Sequence, residues 1–258
     1  MEKSLPKVTV IGMSYNDLPH LKQSAATILQ QDYENLEYVV VDGGSTDGSV
    51  EFLAKVEEKM KDRPGGTMKW VSEPDKGLYH ALDKGIAMCS GDIIGIMNER
   101  FANTHVLSDM VDIIEREGTD GVHGAMDYID EKGRVVRRWR MGKGNLNTGW
   151  MAAHPTMYLK KEVFETYGDY KIDYRIAADY EFMIRILKDG NIKLSYLPEV
   201  QVHMFHGASS TSTGNIGGYM GSLKELYRAL RENDMPHPAW TAFRRTLITL
   251  YQFVPGKR

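Results

Sequence analysis

The sequence predicts an α/β fold: a mostly parallel central sheet flanked by helices, followed by further helices at the C-terminus. Two observations predict the sheet. Short, nearly continuous apolar runs alternate with helical patterns through the first half of the chain. Strands that read this way are buried on both faces, as in parallel sheets covered by helices. A third observation sets the scale. The 258 residues, 42% hydrophobic and 26% charged, suit one large globular domain or one domain plus a small appendage.

Each element has a local reason. Residues 7–13 (KVTVIGM), 36–42 (LEYVVVD), 68–72, 92–97 (DIIGIM) and 121–126 read as strands. Between them, 19–31, 49–61, 77–89 and 106–117 carry apolar residues at helical spacing, such as Leu21, Ala25, Ile28 and Leu29 in the first. The second half is less regular. Residues 128–139 suggest a hairpin turning at Glu131-Lys132-Gly133, and 142–149 reads as a loop. Helices are expected at 161–167 and 178–188, with a strand at 193–197 that Pro198 should end. A polar Gly/Ser/Thr loop at 207–218 precedes two helical patterns, 219–232 and 240–253, separated by Pro236 and Pro238.

Composition excludes several classes. A net charge of −3 gives no general reason to expect a nucleic-acid partner. The single cysteine, Cys89, excludes an internal disulfide and a cysteine-based zinc site. The N-terminus lacks the apolar core of a signal peptide, and no run approaches the roughly 20 apolar residues of a spanning helix. A cytoplasmic protein is the expectation.

The first chemical signal is Val41-Asp42-Gly43-Gly44-Ser45-Thr46-Asp47-Gly48, where a strand gives way to a helix. Open α/β sheets bind ligands at the carboxyl ends of their strands. Two glycines permit close backbone approach, Asp42 can accept hydrogen bonds from a base or ribose, and Asp47 can cap the next helix. Without a ligand the same segment is a turn and a cap. It lacks the glycine patterns of dinucleotide and P-loop sites.

Residues 39–48 are similar, nearly letter for letter, to the first nucleotide-binding motif of family 2 glycosyltransferases. Glu73-Pro74-Asp75-Lys76-Gly77-Leu78-Tyr79 resembles their second motif, and Gly91-Asp92-Ile93-Ile94-Gly95-Ile96-Met97-Asn98 the strand before their metal motif. His154-Pro155-Thr156-Met157 and Tyr174-Arg175-Ile176-Ala177-Ala178-Asp179-Tyr180-Glu181 resemble their acceptor-side motifs. Five motifs in the family's order span about residues 6–206. The resemblance implies a GT-A fold over 1–215, with a nucleotide-sugar half at about 1–103 and an acceptor half at about 104–215, then a helical extension over 216–258. It implies an inverting enzyme of surface polysaccharide or glycolipid biosynthesis, with a UDP-sugar as the expected donor and a glycan or lipid-linked glycan as acceptor.

The resemblance also assigns residues. Ser14, Asn16, Asp42, Gly44, Asp75, Lys76, Asn98 and Arg100 fall on the nucleotide-sugar side. His154, Trp150 and Glu181 fall on the acceptor side, and Asp179 is the catalytic base. Chemistry supports Asp179, because inverting transfer needs a carboxylate to take the acceptor proton. An acid in a first helical turn is also favoured by the helix dipole alone. Glu181, two positions on, points about 200° away around the helix, which suits a supporting role.

One motif departs from the family. An Asp-x-Asp or Asp-Asp pair is expected after the fourth strand, and the chain reads Asn98-Glu99-Arg100-Phe101. Family members use the pair to hold Mn2+ or Mg2+ against the leaving diphosphate. Three readings stay open. Glu99 is the ligand, with His206 as a further candidate; Arg100 neutralises the diphosphate directly; or the site binds a nucleotide sugar or glycan without turnover. Glu99 with a divalent cation is the leading expectation.

Two basic features remain. Arg134, Arg137, Arg138, Arg140 and Lys143 surround Trp139, and could face a phosphorylated acceptor or form a solvated hairpin face. Within 239–258, Trp240, Phe243, Leu247, Tyr251 and Val254 recur at helical spacing, with Arg244 and Arg245 on the other side. Such a helix can lie on an anionic membrane surface, peripheral to the inner face of the plasma membrane, or pack its stripe on the core.

Overall fold

The structure, a computed structural model, describes residues 5–205 and 216–253. The first half alternates strictly: β1 (Val8–Ser14), α1 (Leu18–Leu29), β2 (Leu36–Asp42), α2 (Ser49–Asp62), β3 (Thr67–Ser72), α3 (Leu78–Met88) and β4 (Ile93–Ile96). Every residue of β2 is buried, as its nearly continuous apolar run requires, and buried Glu37 and Asp42 are hydrogen-bonded. In α1, Leu21, Ser24, Ala25 and Ile28 face the sheet, and Asp17 caps the helix by accepting from the His20 N–H at 3.3 Å.

The second half contains β5 (Arg100–Phe101), α4 (Val106–Glu117), β6 (Gly121–Ile129), β7 (Val135–Trp139), β8 (Tyr158–Lys160), α5 (Lys161–Tyr167), α6 (Ala178–Leu187), β9 (Leu194–Phe205), α7 (Ile216–Glu232) and α8 (Pro238–Gln252). Short 3-10 turns stand at Leu146–Thr148 and His154–Thr156. The described strands form one sheet in the order β3-β2-β1-β4-β8-β6-β9-β5, with β7 added to β6. The β3-β2-β1-β4 block is parallel, as is β6 with β9. Antiparallel β8 joins the two blocks. Gly95 of β4 permits that junction, because a Cβ there would lie 2.2 Å from the Tyr158 ring of β8.

Three strand expectations change. Strands β5 and β8, of two and three residues, are too short to carry a period. Strand β6 runs on to Ile129 as the first arm of the hairpin. Strand β9 does not stop at Pro198. Gly124 pairs with Leu197 and Ala125 with Val200, so Pro198 and Glu199 bulge out of the ladder. Proline has no N–H to donate, and a bulge is where a sheet accommodates it.

Helices α7 and α8 pack against the second half. Gly149 lets the loop after the first 3-10 turn reach α8. Its φ of +77° suits glycine, and a Cβ there would lie 2.6 Å from the Arg245 nitrogen. Among the described residues no helix is long and apolar enough to cross a membrane.

Candidate active site

The carboxyl ends of β1, β2 and β4 open into a cavity of about 1060 Å³, closed on the far side by α6, α7 and α8. On the β side, Ser14, Tyr15, Gly43, Asp75, Asn98 and Glu99 line it. On the helical side, His154, Asp179, Tyr180 and Arg245 line it. Residues from both sequence-predicted halves therefore share one chamber.

The nucleotide-side residues divide into those that face the cavity and those that hold it open. Asp42 is fully buried and holds the turn. It accepts hydrogen bonds from the Gly44 and Ser45 N–H groups and from the Ser45 and Ser72 hydroxyls, at 2.5 to 3.1 Å. Asn16 has a left-handed φ of 48° and ties the β1 loop to the β2 loop, accepting from Thr46 N–H at 2.8 Å. Asp47 accepts from Ser49 and from Leu18 N–H at 2.7 Å, joining the starts of α1 and α2. Asp42, Asn16 and Gly44 do not line the cavity. Lys76 is exposed and also lies off its wall. Ser14 does face the cavity, and its buried hydroxyl has no protein partner. Asp75 faces it too, braced by the Gly77 N–H at 2.8 Å.

The departed motif has a definite geometry. Asn98 accepts from the Met13 N–H at 2.7 Å, fixing the end of β4 to β1. Glu99 enters the cavity, 3.5 Å from His20 Nε2 and 3.3 Å from the Phe205 N–H. Burial raises the Glu99 carboxyl, and the His20 charge works against that rise. Arg100 does not line the cavity. Its guanidinium stacks on the Phe205 ring at 4.2 Å while β5 pairs with β9. His206 lies outside the described residues.

Among the described residues no group of three His, Cys, Asp or Glu side chains could hold a metal ion by itself. Magnesium and manganese at phosphate sites are commonly held by one or two carboxylates plus the substrate's own oxygens. Glu99 beside His20 fits that minimal set. His20 escaped the sequence reading, since one histidine on an amphipathic helix gives no signal.

Asp179 stands in the first turn of α6, half-buried, with Oδ1 accepting from Tyr180 N–H at 2.8 Å and the Tyr79 hydroxyl at 3.4 Å. Tyr79 also donates to the Ile176 carbonyl at 2.8 Å. A second device fixes this turn. Glu225 of α7 accepts three backbone N–H bonds, from Arg175, Ile176 and Ala177, at 2.8 to 2.9 Å. Helix α7 therefore positions the residues just before Asp179. His154 Nε2 meets the Tyr170 hydroxyl at 2.8 Å, and burial lowers its pKa.

Two acceptor-side expectations land elsewhere. Glu181 is fully buried away from the cavity and joins Arg185, Lys171 at 2.9 Å and Asn233 at 3.2 Å. Burial pushes its carboxyl up, but these hydrogen bonds prevail and hold it below the usual range. Trp150 lines a separate depression of about 610 Å³ with His123 and Lys143, its indole N–H given to Gly142 at 2.9 Å. Strand alternation divides the basic cluster. Arg137 and Trp139 point inward, Arg138 and Arg140 outward. Arg245, expected on a polar surface, is buried.

The profile of Glycosyl transferase family 2 matches residues 9–177. The chain belongs to glycosyl transferase family 2. An uncharacterised glycosyltransferase of Mycobacterium tuberculosis is 31% identical over 194 residues, covering 70% of this chain and 69% of that protein. A PGL/p-HBAD biosynthesis glycosyltransferase of Mycobacterium bovis is 24% identical over 211 residues, covering 80% of each. TarS of S. aureus, crystallised with UDP-GlcNAc, superposes with a TM-score of 0.68 at 17% identity, covering 88% of this chain and 65% of the TarS chain. The mannosyltransferase PcManGT of Pyrobaculum calidifontis, crystallised with GDP-Man and Mn2+, gives 0.62 at 19% identity, covering 98% of this chain and 76% of its own. The fold of this family 2 glycosyltransferase is thus GT-A. The profile stops two residues before Asp179, so the base candidate rests on the geometry of α6 and the cavity.

Proposed function

We propose that this family 2 enzyme is an inverting glycosyltransferase that moves a sugar from a nucleoside-diphosphate donor, a UDP-sugar, to a hydroxyl of a glycan or lipid-linked glycan. The observation that carries the reading is the shared chamber. Ser14, Asp75 and Glu99 at the strand ends face Asp179 across one cavity. The donor occupies the strand-end side, within the nucleotide half of about 1–103. The acceptor enters on the side of 104–215, against the helical extension.

Asp179 takes the acceptor proton as that oxygen attacks the anomeric carbon, and the nucleoside diphosphate leaves from the opposite face. Tyr79 and the Glu225-held turn keep the carboxylate aimed. A divalent cation held at Glu99 would neutralise charge on the leaving diphosphate. The crystallised neighbours with UDP-GlcNAc and with GDP-Man and Mn2+ support the donor class and the cation.

Helix α8 supports a peripheral membrane site at the cytoplasmic face. Trp240, Phe243, Leu247, Leu250 and Tyr251 are all exposed along it, beside exposed Arg244. An acceptor carried on a lipid would then reach the cavity that α8 closes.

The test is a donor panel of UDP- and GDP-sugars with Mn2+, reading nucleotide binding and nucleotide diphosphate release. One donor should bind and turn over, and EDTA should suppress release. Turnover that survives EDTA contradicts the cation at Glu99. Donor binding with no release under any condition leaves a binding protein in place of an enzyme.

A further inference from the structure

Two buried arginines line the chamber and form no ion pair among the described residues. Arg137 of β7 and Arg245 of α8 are 4% and 8% exposed, and both line the cavity. Neither guanidinium has a carboxylate within ion-pair distance among the described residues. Both lie over the Trp139 ring, at 4.8 and 4.7 Å from its centroid. Arg137 gives two hydrogen bonds to Gln252 of α8, at 2.8 and 2.5 Å. Arg245 has only a long contact to Met151 Sδ at 3.7 Å, and its buried Nη1 has no partner. The buried Tyr180 hydroxyl, on the residue after the base and on the same cavity wall, is likewise without a partner.

A buried charge without a partner is costly, and the aromatic face beneath offsets only part of that. Burial pushes the Arg245 guanidinium down to about 10, so it stays charged at neutral pH. Gln252 completes Arg137, whereas among the described residues the Arg245 Nη1 and the Tyr180 hydroxyl are left for a ligand to complete. Guanidinium forks bind phosphate oxygens bidentately, and two fixed positive charges match a phosphate ester better than a single carboxylate. Asp179 lies close enough for Arg245 to feel its charge. The anion would therefore sit on the acceptor side of the reacting centre.

We infer that Arg245, Arg137 and Tyr180 form a phosphate site for the acceptor, so that this enzyme glycosylates a phosphate-bearing molecule. The inference rests on the transferase reading above and names its acceptor class. The phosphate could belong to a lipid headgroup or to a water-soluble phosphate ester.

The test is calorimetry on the full chain with Mn2+, first titrated with UDP, then, saturated with UDP, titrated with dodecyl phosphate, glycerol phosphate and neutral dodecyl glucoside. At least one phosphate probe should bind in the presence of UDP, and the neutral probe more weakly. Preference for dodecyl phosphate identifies the lipid source, and equal binding of glycerol phosphate the soluble one. Arg245→Met should weaken the phosphate probe about tenfold or more, the scale of one charge-assisted hydrogen bond, and leave UDP binding intact. Arg245→Lys should restore part of the loss. Tyr180→Phe removes one unpartnered oxygen, and should weaken the probe several-fold with Tm unchanged. Arg245→Met should keep or raise Tm, whereas an arginine needed only for packing would lower it. Equal binding of neutral and phosphate probes, displacement of the phosphate by UDP, or unchanged affinity in both Arg245→Met and Tyr180→Phe overturns the site. UDP binding without any phosphate response sinks this inference alone. Phosphate binding without any UDP response sinks the nucleotide reading.

Discussion

Helices α1 and α8 border the same cavity and solve burial in opposite ways. Helix α1 turns Leu21, Ala25 and Ile28 into the core, as its periodicity predicts. Helix α8 leaves Trp240, Phe243, Leu247 and Leu250 exposed and buries Thr241, Ala242 and Arg245. Both sequences show a stripe at helical spacing. A stripe gives the helix and its period, but which side meets the protein depends on what waits there. For α1 it is an apolar sheet. For α8 it is the wall of the chamber, where Arg245 stands, with the apolar side left exposed.

The contact between the C-terminal helices and the rest of the chain offers the largest effect. Glu181 links α6 to Lys171 and to Asn233 beyond α7. Glu181→Ala leaves Arg185 with the Tyr167 and Asp169 carbonyls and Lys171 with Glu232, around an emptied buried position, and should cost about 3 kcal/mol. Urea unfolding would measure it. A cost near zero would mean that α7 and α8 are held by other contacts.

The next effect separates positioning from stability. Glu225→Gln weakens the three N–H bonds that fix residues 175–177. Transfer should fall by about tenfold or more, as hydrogen bonds to a charged group are each worth ~1.5–3 kcal/mol. Donor affinity should not move, because Glu225 holds the turn before Asp179 and not the strand ends. Equal loss of donor binding would break that division.

The first half of the chain carries its own cost. Burial, then the nearby Asp169 charge, raises the Asp83 carboxyl to about 6, and one of its oxygens is buried without a partner. The folded-state pKa lies above the unfolded one, so its contribution is full below the unfolded value of 3.8 and is lost as pH rises through about 6. Asp83→Asn should therefore raise Tm at about pH 8 and converge with the wild type near about pH 4. A gain that is the same at both values contradicts the assignment.

The smallest stability effect belongs to the exposed face of α8. Leu247→Ser with Leu250→Ser should change stability by only about 0.5 kcal/mol or less at each site. The same pair should abolish co-sedimentation with anionic lipid vesicles if that face meets a membrane. Unchanged sedimentation removes the membrane from the account.

Much of this was legible in the chain. The alternation from β1 to β4 was, because fully buried parallel strands leave nearly continuous apolar runs such as 38–41 in β2. The turn at 41–48 was legible as a strand end leading into a helix, and Asp42, expected to meet a ligand, is occupied within that turn. Strands β5 and β8 were not, being too short to show a period. Glu181 sits within a motif stretch and Trp150 four residues before one, yet they face a buried ion cluster and a second depression. Motif membership fixes neighbourhood, and backbone geometry fixes direction. Glu225 and His20 gave no signal, and Arg245 gave only that of a polar helix side, since each is placed by residues distant in sequence.

The central claim is that Asp179 is the base of a glycosyl transfer. It is tested most directly by measuring nucleotide diphosphate release and donor affinity together for the wild type and Asp179→Asn. The account predicts release reduced by ~10²–10⁴-fold with donor affinity unchanged. A variant that releases product at near the wild-type rate would contradict it.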